Sequence, residues 1–161
     1  MARFAILFAV IALALFAAEL SRPVQNAVVI PWTEGLARVS AATASAFDSQ
    51  VASYGKVLQS TRNGFAVSIE AGCNAVEASL LLIAAMLAFP APWKHRLTGI
   101  AIGLVAVHAL NLVRVVSLFY LGQWNRDVFE WTHLYVWQVL IMLDVLVVWL
   151  LWIRVLPRSA G

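Results

Sequence analysis

Cys73, Arg114 and His133 are a thiol, a guanidinium and an imidazole set into an otherwise apolar chain, each beside or inside a different hydrophobic run. A thiol attacks a carbonyl as thiolate, and a neighbouring imidazole or guanidinium lowers its pKa from about 8.5 toward neutrality. If the three groups meet, Cys73 is the nucleophile. His133 then exchanges protons with the thiol and afterwards with the leaving amine, while Arg114 holds the developing oxyanion or orients the carbonyl. The reaction class is acyl transfer through a thioester. Singly, each residue has a plainer explanation: a free cysteine packs as a small hydrophobe, and His133 alone is an interfacial polar residue. Arg114 is harder to dismiss, because an arginine two turns inside a membrane helix costs about 2.5–3.5 kcal/mol on insertion scales and usually marks a site.

The elements that must position these groups follow from composition. The 161 residues are 63% hydrophobic and 12% charged, far from a soluble globular balance and in keeping with a single integral membrane domain. Lysines and arginines are scattered rather than gathered into a stripe, which argues against a nucleic-acid partner and leaves the lipid bilayer as the expected one. Four runs, near 4–20, 74–90, 97–121 and 134–156, are long enough or nearly so to cross a hydrocarbon core. The expected fold is therefore an all-α polytopic membrane protein of about four transmembrane helices. The first run follows Arg3 and resembles a signal peptide, but Phe16-Ala17-Ala18-Glu19 is a poor cleavage site, so an uncleaved anchor is expected.

Lys94 and Arg96 between the second and third runs, with Arg154 and Arg158 at the C-terminus, mark cytoplasmic ends. Both termini then lie inside, and the connections 21–73 and 122–133 face outward. Tyr120, Trp124, Trp131 and Trp137 cluster near one boundary and Trp93, Trp149 and Trp152 near the other, as interfacial belts should. Within 21–73, a helix is expected after Pro31, with Leu36, Val39, Thr43 and Phe47 on one face, Arg38, Ser45 and Asp48 on the other, lying along the membrane surface. Asn63-Gly64 and the alternation of Phe65, Val67 and Ile69 with Ala66, Ser68 and Glu70 predict a β-hairpin over roughly 54–70. This small extracytoplasmic insertion would frame an extended substrate or simply cover the helix ends.

At about 1.5 Å per residue, Cys73 and His133 sit at the outer boundary, at the starts of the second and fourth helices. The Arg114 Cα lies roughly 10 Å below, within reach of its long side chain. His108, Asn111 and Arg114 form a stripe at three-residue spacing on the third helix, while Cys73 with Glu77 and His133 with Asp144 share faces on theirs. Ionisable groups at such depths face a bundle interior or a wet cavity. Asp144 and His108 fall at similar depths, which makes them expected structural partners. Glu70 and Glu77 are close enough to tune the thiol, although a surface role for the first and a packing role for the second remain open.

A redox role is disfavoured because the single cysteine has no resolving partner. A metal site is disfavoured because Cys73, His108 and His133 are not spaced as known ligand sets and His95 should be cytoplasmic. No cofactor is expected. The rival reading is a non-enzymatic membrane subunit, an assembly or transport component whose His108, Arg114 and Asp144 stabilise helix packing.

Gly72-Cys73-Asn74, then Asn111-Leu112-Val113-Arg114, then Thr132-His133, on successive hydrophobic segments, resemble the exosortase/archaeosortase family over about residues 55–156. The short length and the Glu-Ala-Gly-Cys-Asn context are most similar to exosortase H. The resemblance implies an inner-membrane cysteine protease or transpeptidase with an outward-facing site. It would cut secreted proteins at a C-terminal signal made of a short motif, a transmembrane helix and a basic tail; for exosortase H the motif is of Ile-Pro-Thr-Leu type. The family's Cys, Arg and His carry over to Cys73, Arg114 and His133, with Asn74, Asn111 and Glu77 as supporting candidates. One departure is Ala75, where many relatives have glycine.

Overall fold

A computed structural model describes residues 2–156. Arg158, one of the expected cytoplasmic markers, lies outside the described residues. Helix α1 (Ala2–Glu19) is followed by a helical turn, α2 (Arg22–Val24), a π-helical stretch Gln25–Val29, and α3 (Ile30–Ser45). Three short strands follow, β1 (Val51–Tyr54), β2 (Val57–Ser60) and β3 (Ala66–Ser68), then α4 (Val76–Ala88) and α5 (Trp93–Trp124). Helix α6 (Arg126–Trp131) runs through a second π-helical stretch, Thr132–Val136, into α7 (Trp137–Arg154).

Three helical stretches, Ala2–Glu19, Trp93–Trp124 and Arg126–Arg154, are long and apolar enough to cross a membrane. The second expected span is shorter than 74–90. Helix α4 has 13 residues, about 20 Å of rise, because the residue before a proline is driven out of the helical region and Phe89, preceding Pro90, is extended at φ −76° and ψ 136°. Helix α5, by contrast, outruns its apolar window at both ends. Its 32 residues rise about 48 Å, more than a hydrocarbon core requires. The connection expected at 122–133 is mostly helical: the Asn125 side-chain oxygen accepts from the backbone N–H of Asp127 at 2.8 Å and Val128 at 3.1 Å, capping α6.

Close approach of α5 to its neighbours depends on Gly99 and Gly103. A Cβ on Gly99 would run into the Trp152 indole, and one on Gly103 would come within 2.7 Å of Leu82 and 3.1 Å of Val148. Small residues one turn apart let helix axes approach in lipid, where tight packing rather than water exclusion holds helices together. Trp152 is only 7% exposed and its Nε1 donates to the His95 carbonyl at 2.9 Å. Trp137 is buried as well. Both tryptophans are packed inside the bundle rather than standing as the interfacial anchors expected, Trp152 because its indole is wedged against Gly99.

The extramembrane insertion is a three-stranded antiparallel meander in the order β1-β2-β3. The hairpin expected over 54–70 is present with one further strand, β1, joined to β2 across Gly55-Lys56. The Asn63-Gly64 turn lies between β2 and β3, with Gly64 at φ +76° and the Asn63 side chain accepting from Phe65 N–H at 3.0 Å. Phe65, Val67 and Ile69 turn inward and Ala66, Ser68 and Glu70 outward, as the alternation required.

Helix α3 is rotated from its expected setting. Its buried face is Thr33, Leu36, Ala37, Ser40, Ala41 and Ala44, whereas Thr43, Val39 and Phe47 are exposed. Small side chains let α3 lie close on the sheet and α5, and a core of Leu36, Ala37, Ala41, Leu58, Ile69 and Phe119 forms there. A second core, including Ala78, Leu82, Met86, Val107 and Ile141, fills the space among α4, α5 and α7. Between the two cores lies a layer of polar side chains.

Candidate active site

Cys73 does not ride on a helix. It sits on a tight turn before α4, where Gly72 and Ala75 both adopt left-handed backbone, at φ +80° and +61°. Ala75 is the one non-glycine residue with positive φ among the described residues, a backbone region where a Cβ costs about 1–2 kcal/mol. The Cys73 N–H donates to the Glu70 carbonyl at 2.9 Å, and the Gly72 N–H donates to Glu77 Oε1 at 2.8 Å.

Four successive carbonyls of this turn are each held by a different side chain. Arg114 Nη1 donates to the Gly72 oxygen at 3.2 Å, Asn111 Nδ2 to Cys73 at 3.1 Å, Trp32 Nε1 to Asn74 at 3.2 Å and Ser79 Oγ to Ala75 at 2.7 Å. The Asn74 side chain accepts from Val76 N–H and donates to Thr33 Oγ1 at 3.1 Å. Buried polar groups must find such partners, and here the partners come from α3, α4 and α5 together, so the turn is fixed from three sides.

Onto that turn converge the two other groups. Cys73 Sγ lies 3.0 Å from His133 Nε2 and 3.6 Å from Arg114 Nη2. Arg114 is 2% exposed, so its charge is delivered to the sulfur with little screening. His133 belongs to the π-helical stretch Thr132–Val136, and its ring stacks on Phe129, centroids 5.7 Å apart and planes 10° off parallel. Such stretches recur at functional positions because they re-aim a side chain without breaking the helix. Burial pushes the Cys73 thiol above its ordinary pKa, Arg114 pulls it back down, and Glu77 and Glu70 push it up. Burial thus opposes standing ionisation of the sulfur that His133 Nε2 approaches at 3.0 Å. Glu70 is itself held below the usual carboxylate range by Lys56 Nζ, 2.5 Å away, and by Ser68.

The thiol opens into a cavity of about 100 Å³ lined by Val67, Glu70, Cys73, Arg114, Phe129 and His133. Cys73, Arg114 and His133 are thus in contact around one small space. Asn111, Asn74 and Glu77 hold the backbone of the turn and do not touch the sulfur. The stripe of His108, Asn111 and Arg114 faces inward as its spacing suggested, but His108 and Asp144 do not pair. His108 Nε2 meets Ser79 Oγ at 3.3 Å and its ring lies 4.5 Å from Trp32, while Asp144 Oδ2 is buried without a partner. Among the described residues, no group of three or more His, Cys, Asp or Glu side chains gathers as a metal site. Trp32, Thr33, Ser79 and Phe129 were not singled out from sequence; Phe129, four residues before His133, carries only a helical-spacing signal.

The sequence matches the family model for the transmembrane exosortase over residues 1–153. The chain belongs to the transmembrane exosortase family. Comparison with curated proteins and with solved structures found no match. In this exosortase the family's general character, a multipass membrane protein, agrees with the three helices long and apolar enough to cross a membrane.

Proposed function

We propose that this exosortase is a membrane cysteine protease or transpeptidase that cleaves the C-terminal sorting signal of secreted proteins through a thioester on Cys73. The observation that carries the reading is the double contact of one sulfur with an imidazole at 3.0 Å and a guanidinium at 3.6 Å. His133 Nε2 takes the thiol proton as Cys73 Sγ bonds to the substrate carbonyl carbon, and the oxygen gains the negative charge that Arg114 Nη2 faces. Collapse of that intermediate breaks the C–N bond, and His133 returns the proton to the departing amine. The thioester is then resolved by water or by an acceptor amine. Resistance of the buried thiol to ionisation makes transfer to His133 at the moment of attack the productive route, rather than a standing ion pair.

The site is read as extracytoplasmic in the inner membrane with both termini cytoplasmic, since Lys94, Arg96 and Arg154 lie at the bundle end opposite Cys73. Substrates would be secreted proteins bearing a short motif, a transmembrane helix and a basic tail.

One observation favours the non-enzymatic alternative: Arg114 and Asn111 bind backbone carbonyls, as a purely structural clamp would. Co-expression of a tagged substrate with Cys73→Ser, His133→Ala and wild type separates the two readings. Normal insertion of both variants with complete loss of processing is expected; processing that survives in Cys73→Ser contradicts the proposal.

A further inference from the structure

β3 is an edge strand. Its pairing with β2 has a phase set by Ser60 N–H to the Phe65 carbonyl at 2.9 Å and Ile69 N–H to the Lys56 carbonyl at 3.0 Å. In an antiparallel ladder the residues between such pairs turn their N–H and C=O the other way. The backbone groups of Ala66 and Ser68 therefore face away from β2, and among the described residues no strand takes them. Both residues are exposed.

Beyond that edge runs a cleft between β3 and α6. One part, about 540 Å³, is bounded by Phe65 and Val67 on the sheet side and by Gly122, Arg126, Phe129 and Glu130 on the helical side. It shares Val67, Ser68 and Phe129 with the smaller cavity that holds Cys73, Arg114 and His133. The cleft thus leads along the open edge to the sulfur. Its floor depends on Gly122, where a Cβ would run into the Phe65 ring and come within 3.2 Å of Phe129. An open strand edge invites another strand, and this one lies beside a nucleophile.

We propose that the free edge of β3 binds the substrate as an added β-strand, the peptide pairing with the backbone of Ala66 and Ser68 so that its carbonyl reaches Cys73. This rests on the acyl-transfer reading above. Strand addition takes affinity from main-chain hydrogen bonds and selectivity from alternate side chains. Every second side chain of the peptide points into the Phe65, Val67 and Phe129 floor and is apolar, while the intervening ones face solvent near the Arg126 and Glu130 pair on the rim.

The test uses the full chain in detergent and acetyl-Ala-Val-Ala-Val chloromethyl ketone, whose methylene carbon bonds to Cys73 Sγ as chloride leaves and the thiol proton passes to His133. Chloroacetamide serves as a reagent with no strand to add. N-methylating the peptide amides one at a time should lower the labelling rate about fivefold or more at every second amide and leave the others unchanged. Ala66→Pro, which removes an outward N–H and no ladder bond, should narrow the rate advantage of the unmethylated peptide reagent over chloroacetamide. Equal tolerance of methylation at all amides, with the peptide reagent still faster than chloroacetamide, overturns strand addition and leaves the acyl-transfer reading standing. Failure of both reagents to label Cys73 in the folded protein overturns the acyl-transfer reading itself.

Discussion

The thiol of Cys73 is tuned by opposing neighbours, which makes its ionisation testable without substrate. Burial and the carboxylates of Glu77 and Glu70 raise its pKa and Arg114 lowers it. The iodoacetamide alkylation rate of the free protein should therefore climb with pH through a midpoint above that of an ordinary thiol. Glu70→Gln removes a charge that disfavours thiolate, so its midpoint should move down; Arg114→Gln should move it up. A rate flat from about pH 5 to 8, as a thiolate–imidazolium pair gives, would contradict this picture. Ala75 offers a second residue-level prediction. Ala75→Gly relieves a left-handed alanine and should raise stability by about 0.5–1 kcal/mol in thermal unfolding. The trio itself was legible in the sequence because a lone cysteine, a deep arginine and a histidine stand out against apolar runs. The residues that hold the turn were not. Trp32 and Ser79 act on backbone carbonyls, and Thr33 on the Asn74 side chain, of a turn whose left-handed shape leaves no periodicity to read.

At the scale of elements, apolar runs located the helices but misjudged their ends. Pro90 shortens α4, and the Asn125 cap turns an expected loop into α6, both local signals that a hydropathy window averages away. Faces were harder still: α3 buries alanines and serine while exposing Val39, because fit against the sheet and α5 governs its orientation more than side-chain size does. Gly99 makes the contrast testable. Gly99→Ala drives a methyl into the Trp152 indole and should cost about 1–3 kcal/mol, read as a lower temperature of inactivation in detergent. Gly35→Ala, in α3 with only Arg38 Nη2 at 4.0 Å from the added carbon, should be neutral or slightly stabilising.

For the molecule as a whole, two packed cores hold a polar layer between them, and the thiol turn is locked to α3, α4 and α5 where that layer meets the sheet. In the orientation proposed from Lys94 and Arg96, this end is extracytoplasmic. Because Cys73 is the only cysteine, a membrane-impermeant maleimide applied to spheroplasts should label wild type and leave Cys73→Ser unlabelled; labelling only after lysis would reverse the orientation. The central claim is that Cys73 carries the substrate's acyl group. Mass spectrometry of the Cys73 peptide, isolated during turnover of a co-expressed substrate, tests it most directly. The account predicts a hydroxylamine-labile acyl adduct on that sulfur, ending at the cleaved residue and absent from Cys73→Ser. An unmodified Cys73 throughout processing, with Cys73→Ser cleaving at the wild-type rate, would contradict it.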